Sequence, residues 1–379
     1  MMSIGMDRRQ WIKSGILTAG GLLTGFSGSS CQGSSEPTGV QGQPTTDPNV
    51  VRLKSNESPY GLSPSAHEAA KNALAQSHLY PHNHYAELKS KIAEREGLTP
   101  EHIILGAGST EVMVMLIHLY GAQGEALAAD PTYFDFVDYA QRADCFLRLV
   151  PLDDNFVHDL AAMEKEIHPQ TNLVYICNPT NPTGTTVPHK QLKDFCEGVS
   201  PKTLVVVDEA YHEYVEDPEY GSTLPLVKNG ANIVVTRTFS KIFGMAGLRV
   251  GYGVAAPDTV RQLRRIQRNF ATLAYPSLQA AIASYADLEF QAEVRRKNSK
   301  VKLYLYQALE RKGFYFIPSQ TNFILFQIDR DARDMVKAFE AHGVLLRGFP
   351  IRDKNWIRVS IGTQIEMERF VAVLEKVMG

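Results

Sequence analysis

Short apolar runs punctuate the chain from Ile103 onward. Ile103-Ile104-Leu105, Glu125 to Ala129, Phe146 to Val150, Leu173 to Cys177, Leu204 to Val207, Ile233 to Thr236 and Val250 to Val254 each have the length of a strand, and the segments between them space their apolar residues as helices do. Leu204-Val205-Val206-Val207 has no polar alternation, so cover is expected on both its faces, as in a mostly parallel sheet flanked by helices. The alternation predicts an α/β fold, with functional side chains at the strand ends. Beyond residue 285 the texture changes to a long charged helix through Arg295 to Lys300. Strands follow over Phe314 to Ile328, Val344 to Arg347 and Trp356 to Ile361, then a last helix from Ile365 to Met378. This part predicts a smaller α+β domain without internal repeats.

The opening residues follow a different pattern. Asp7-Arg8-Arg9-Gln10-Trp11-Ile12-Lys13 precedes an uncharged, glycine-rich apolar run from Ser14 to Phe26, the build of a signal peptide and too short for a membrane anchor. The paired arginines resemble a twin-arginine export signal, with Asp7 and Trp11 departing from its usual residues. Gly28-Ser29-Ser30-Cys31 resembles a lipoprotein cleavage site that would set a lipid anchor on Cys31; the alternative is ordinary cleavage nearby or a cytosolic tail. Gln32 to Pro48, rich in Gly, Ser, Pro, Thr and Gln, is a linker. A periplasmic or otherwise exported location follows from the signal, and a cytoplasmic one without it.

The 379 residues exceed one small core, and a formal net charge of -2 supplies no general attraction to nucleic acid or anionic membrane. Any phosphate site must be local. Cysteines at 31, 145, 177 and 196 form no C-x-x-C pair, so no metal is expected. His82 and His84, lacking Cys or carboxylate partners nearby, are assigned to a solvated loop.

Four loop motifs carry the chemistry. Gly106-Ala107-Gly108-Ser109-Thr110-Glu111 follows a strand and opens a helix, whose first amides and dipole suit an anion. Glu111 stands where a dinucleotide fingerprint needs its third glycine, which disfavours a nicotinamide dehydrogenase. In Asn178-Pro179-Thr180-Asn181-Pro182-Thr183-Gly184, two prolines stiffen the turn and hold the Asn181 amide. Asp208-Glu209-Ala210-Tyr211 sets a carboxylate at the end of an apolar strand, suited to a pyridinium N–H or to a helix cap. Thr238-Phe239-Ser240-Lys241 runs on to Ala246-Gly247-Leu248-Arg249. A lysine that forms a Schiff base must be driven neutral by desolvation and nearby charge. The hydroxyls of Thr238 and Ser240 and the Arg249 guanidinium can hold a phosphate.

With their order and spacing, these motifs resemble those of fold-type I aminotransferases, most closely the histidinol-phosphate aminotransferase branch, over residues 50–379. The resemblance implies an aspartate-aminotransferase-like fold: an arm over 50–78, a large α/β domain with a mostly parallel sheet flanked by helices over 79–285, and a smaller α+β C-terminal domain over 286–379. It implies pyridoxal 5'-phosphate carried by Lys241, with Ala107, Gly108, Ser109, Thr238, Ser240 and Arg249 at its phosphate. Asp208 would meet its ring nitrogen, Asn181 and Tyr211 its phenolic oxygen, and Tyr133 the face of its ring. Tyr60 lies in an arm motif, Asn56-Glu57-Ser58-Pro59-Tyr60-Gly61, that closes over substrate. Asn322 and Arg358 would face the substrate and its carboxylate, and Arg347 a substrate phosphate. Tyr80 matches a tyrosine that reaches a second subunit's cofactor phosphate, so a homodimer with shared sites is implied. Arg268-Asn269-Phe270-Ala271-Thr272-Leu273 departs from the segment usual in that branch.

The reading is a transaminase acting on an amino acid, or on an amino-alcohol phosphate such as histidinol phosphate, and a 2-oxo acid. Its alternatives are a decarboxylase or lyase of the threonine-phosphate decarboxylase type, and a non-catalytic cofactor-binding protein.

Overall fold

The structure is a computed structural model that describes residues 50–268 and 273–378. The expected signal and linker lie outside the described residues, as do Asn269, Phe270, Ala271 and Thr272.

Thirteen strands are described: β1 (Val51–Arg52), β2 (Ile103–Gly106), β3 (Glu125–Asp130), β4 (Phe146–Pro151), β5 (Thr171–Cys177), β6 (Leu204–Asp208), β7 (Ile233–Thr238), β8 (Gly251–Val254), β9 (Phe316–Ile317), β10 (Phe323–Ile328), β11 (Val344–Leu345), β12 (Arg347–Ile351) and β13 (Lys354–Ser360). Seven of them form one sheet in the order β2-β8-β7-β6-β5-β3-β4. Only β8 runs against its neighbours there, so the sheet is mostly parallel, as the unbroken apolar runs required. Every residue of β6 and β7 is buried, which the β-branched Val, Ile and Thr side chains suit. Register sets Asp208 beside Cys177 on one side and Thr236 on the other.

One close approach fixes the first βα turn. A Cβ on Gly251 would stand 2.1 Å from the Ser109 amide nitrogen, so no larger residue leaves the helix Ser109–Leu119 where it starts.

The helix Pro64–Ala73, capped by Ser63 Oγ accepting from the Ala66 amide at 3.2 Å, packs on the helix Tyr275–Ala286. His82 and His84 correct the sequence reading: they open the helix His82–Glu96 and are not in a loop. His84 is held there at 2.8 Å from the Tyr275 hydroxyl and 2.7 Å from the Gln279 amide.

The smaller domain is an antiparallel sheet, β12-β13-β10-β9, backed by the helices Leu288–Arg311, Ala332–Glu340 and Gln364–Met378. Its core includes Phe326, Phe339 and Phe370. The run Phe314 to Ile328 is broken between β9 and β10, where Pro318 lacks an amide for the ladder and Ser319 and Thr321 bond each other at 2.8 Å. The helix Ala332–Glu340 and strand β12 were not anticipated. β1 leaves the arm and pairs in parallel with β11.

Candidate active site

β2, β3, β5, β6 and β7 share one direction. Their carboxyl ends open on one side, where loops line a cavity of about 190 Å³.

Lys241 reaches this cavity because Phe239, two residues earlier, is fully buried against Phe243 at 4.7 Å between ring centroids. The Lys241 amine donates to the backbone oxygen of Asn56 at 3.2 Å and lies 5.5 Å from the centre of the Tyr211 ring. Burial, then the Arg358 guanidinium, pushes it down to about 8, against the opposing carboxylates of Glu57 and Asp208.

Asp208 forms the facing wall and is 2% exposed. Its Oδ2 accepts from the Tyr175 hydroxyl at 2.9 Å and its Oδ1 from Thr236 Oγ1 at 3.0 Å. Burial raises this carboxyl group; the two hydroxyls, the Ala210 amide and the Lys241 charge act against that rise. A carboxylate has about four lone-pair directions, so capacity remains for a donor in the cavity.

Asn181 and Tyr211 meet beside it. The Tyr211 hydroxyl accepts from the amides of Asn181 at 3.3 Å and Asn56 at 3.0 Å, which leaves its own proton to donate. Burial pushes that hydroxyl up, with the Arg358 charge opposing. Tyr133, directly before the helix Phe134–Arg142, supplies an aromatic wall, its hydroxyl tied to Asp135 at 2.7 Å.

The other end of the cavity suits an anion. No side chain caps the helix Ser109–Leu119, and while the Glu111 amide donates to the Gly108 carbonyl at 3.3 Å, the amides of Ser109 and Thr110 suit a ligand, with the dipole adding to them. Gly108 has φ +82, and a Cβ there would come within 2.5 Å of Arg249 Nη2. Arg249 itself takes φ +55, a strained conformation for a side-chain-bearing residue. This aims its guanidinium at Ser240 Oγ, 3.2 Å away, and Ser240 in turn accepts from Thr238 Oγ1 at 3.0 Å.

Arg358 is the contribution of β13. It is 2% exposed and no carboxylate pairs with it among the described residues; Nη1 donates to Asn181 Oδ1 at 2.5 Å and Nη2 to Lys54 O at 2.9 Å, while Nε has no partner. Phe323 and Phe349 lie within 5.3 and 5.6 Å of its guanidinium. Burial, with Arg347 across the ladder, pushes it down to about 10. Like charges directly opposite are unfavourable, so an anion near the pair relieves both. Buried Asn322 donates to Asn56 O at 3.1 Å and keeps an unpartnered Oδ1.

Ser109, Tyr133, Asn181, Asp208, Tyr211, Thr238, Ser240, Lys241 and Arg249 thus share the cavity, with Arg358 bonded to its wall. Ala107 is not in the wall. Its amide donates to the Glu111 carboxylate and its carbonyl accepts from Arg249; Thr110 lines the cavity in its place. Tyr60 turns elsewhere, its ring 5.1 Å from the Lys297 amine, and Tyr80 is 74% exposed on the surface. Arg347 is exposed. Ser55, Glu57, Cys177, Ala210 and Ala246 also line the cavity and were not anticipated. Ser55 and Glu57 flank Asn56 in the arm motif, and Cys177 ends β5; strand ends and motif neighbours were the signal available.

Comparison with known proteins agrees with this architecture. The model of the aminotransferase class I and II family matches residues 48–374, and the chain belongs to that family. It is 40% identical to histidinol-phosphate aminotransferase of Moorella thermoacetica, over 87% of this chain and 86% of that protein. It is 37% identical to the enzyme of the same name from Halalkalibacterium halodurans, over 87% and 89%. The histidinol-phosphate aminotransferase of Sinorhizobium meliloti, solved with pyridoxal-5'-phosphate, superposes with a TM-score of 0.80 at 28% identity, over 86% of this chain and 90% of that one.

The Lys241 amine is protonated and inert below its pKa and free above it. The apoenzyme's reaction with an aldehyde probe is therefore expected to gain rate with rising pH and level off above about 8. Arg358→Met, which removes the strongest repelling charge, moves that midpoint upward. A wild-type profile that levels only near ~10, as for an ordinary lysine, contradicts the desolvated amine.

Proposed function

We propose that the cavity holds pyridoxal 5'-phosphate on Lys241, and that the enzyme transfers an amino group from an amino acid, or from an amino-alcohol phosphate such as histidinol phosphate, to a 2-oxo acid. The observation that carries this reading is a partly neutralised buried amine and a buried carboxylate facing each other across one cavity. The remaining walls fit the same group: Ser109, Thr110, Thr238, Ser240 and Arg249 suit its phosphate, with Gly108 outside the wall and close behind Arg249, and Tyr133 suits its ring face. When bound, pyridoxal phosphate supplies an aldehyde for the amino group and a ring that accepts electron density from the α-carbon.

In this mechanism Lys241 Nζ would hold the cofactor, and as a free amine would carry the substrate's α-proton. Asp208 keeps the ring nitrogen protonated through a charge-assisted hydrogen bond. Asn181 and Tyr211 would donate to its phenolic oxygen. Arg358, buried without a counter-ion, takes the substrate's anionic group, and Asn322 orients it. Arg347, exposed across the ladder from Arg358, takes a substrate phosphate. Its relatives' substrate supports this assignment.

The test is a panel of amino donors given to the holoenzyme, following loss of the bound cofactor's absorbance and identifying the product. Histidinol phosphate is expected to react fastest. Arg347→Ala is expected to raise the KM for the phosphorylated donor about tenfold to a hundredfold, the scale of one lost charge-assisted contact, and to leave unphosphorylated donors unchanged. Equal loss for both kinds of donor removes Arg347 from the phosphate site. Release of carbon dioxide in place of a keto product moves the reaction to decarboxylation.

We also propose a homodimer in which Tyr80 completes the cofactor phosphate site of a second copy. Leu74, Leu79 and Tyr80 are 64%, 53% and 74% exposed, an apolar strip suited to burial between subunits. Sedimentation at equilibrium is expected to give a two-chain particle, and Tyr80→Phe to weaken cofactor affinity while leaving that particle intact. A stable monomer with full affinity excludes it.

Export is proposed from Arg8-Arg9 and the apolar run that follows. A cofactor made in the cytosol is loaded into a folded chain, and the twin-arginine route carries folded proteins. Replacing both arginines with lysine is expected to strand the enzyme in the cytoplasm, and Cys31→Ala to separate lipid anchoring from secretion. Wild-type protein found in the cytosol with an intact N-terminus defeats the proposal.

A further inference from the structure

Tyr175 lies behind the cavity wall, in the middle of β5, fully buried. Its ring stacks on Phe136 with centroids 3.9 Å apart and planes 6° from parallel. Phe136 belongs to the helix that begins directly after Tyr133. The stack leaves the phenol little freedom, and its hydroxyl donates to Asp208 Oδ2 at 2.9 Å. Asp208 Oδ1 is held by Thr236 Oγ1 at 3.0 Å, from the strand on the other side. The two neighbouring strands therefore each present a hydroxyl to one oxygen of the same carboxylate.

We infer that Tyr175 is a positioning residue that acts through Asp208: its hydroxyl orients the carboxylate and limits its basicity, so that the shared proton stays on the cofactor's ring nitrogen. This inference rests on the proposed cofactor and deepens it.

The physical argument is a competition. Burial in an apolar sheet disfavours the charged carboxylate and drives it to take up a proton. A carboxylate that withdraws the ring proton would leave a neutral ring, which accepts electron density from the α-carbon poorly. Hydrogen bonds donated to the ionised form oppose that withdrawal. Of the titratable groups around Asp208, Cys177 on β5, Tyr133 and Tyr211 are all pushed up by burial and are neutral at ordinary pH. Lys241 is the cation that favours the ionised carboxylate, and Tyr175, Thr236 and the Ala210 amide favour it whatever the charge on that amine.

Tyr175→Phe keeps the ring and its stack and removes only the hydroxyl. The test loads wild type and variant with pyridoxal phosphate isotopically labelled at the ring nitrogen and records that nitrogen's chemical shift against pH. In the wild type the signal is expected at the protonated position. In Tyr175→Phe it is expected to move toward the unprotonated position, with any titration displaced by about one pH unit, the scale on which a hydrogen bond moves a carboxyl group. The kcat should fall about tenfold, matching that unit, with KM unchanged.

Thr236→Val removes the other hydroxyl and is expected to shift the same signal in the same direction, while Thr236→Ser restores it. These two variants keep the inference testable should Tyr175→Phe fold poorly. A ring-nitrogen signal unmoved in loaded Tyr175→Phe, or unmoved in loaded Thr236→Val, overturns the inference whatever happens to kcat or melting temperature. A wild type that takes up no cofactor defeats the proposed function itself, a result distinguishable from either of these.

Discussion

Two consecutive carboxylates at the end of β6 set the terms for everything around them. Successive strand residues point to opposite faces, so Asp208 enters the cavity while Glu209 enters the far side of the sheet. Glu209, 1% exposed, meets the fork of Arg237 at 2.9 and 3.1 Å, with Ser222 and the Thr223 amide on the same carboxylate. Burial would raise it, yet Arg237 and these donors hold it below the usual carboxylate range. Arg237 also reaches Glu96 at 2.9 Å, tying β7 to the helix His82–Glu96. Asp208 has no such permanent guanidinium, and burial prevails there. One carboxylate is neutralised by a buried guanidinium; the other meets only hydroxyls, an amide and the Lys241 charge. Breaking a pair like Glu209–Arg237 strands a buried charge, and the loop after β6 would lose its anchor with it.

The small domain brings the opposite sign through Arg358. Arg358 stands between two phenylalanine rings with an unpartnered Nε, and its Nη1 and Nη2 donate to Asn181 and to the Lys54 carbonyl. Asn56, buried and in a left-handed conformation, bonds Tyr211 through its amide, Ser360 through its backbone and side chain, and Asn322 and Lys241 through its carbonyl. A single arm residue thereby touches the large domain, the small domain and the reactive amine. The cavity's geometry depends on the two domains keeping one mutual position.

The parallel sheet was legible because burial on both faces removes polar alternation and leaves apolar runs such as Leu204 to Val207. Its strand-end residues were legible for the same reason: a polar group directly after such a run has only the cavity or a cap to go to. β12 was not, since Gly348 and Pro350 discourage a strand assignment; it is tolerated because β12 is an edge, with one side free of ladder demands. The meeting of Arg358 with Asn181, 177 residues apart, has no local signature, and only the resemblance to a family offered it. In the arm, Ser55 and Glu57 reach the wall while the Tyr60 ring packs toward Lys297, a difference in direction that the motif's sequence does not encode. Tyr175 was hidden in an apolar run because a phenol there reads as a core aromatic until its hydroxyl's partner is known.

The pairing of β1 with β11 has a mechanical meaning. Val51 and Leu53 amides donate to Gly343 and Leu345 oxygens at 2.8 and 2.9 Å, and the Ser360 amide donates back to Leu53 at 2.9 Å. A force applied along the chain at Val50 meets these bonds in shear, loaded together, before it reaches Ser55 and Asn56 beside the Lys241 amine. The short ladder works as strain relief on a cable: a pull at Val50 is taken up there, and the carbonyls that hold the lysine keep their place.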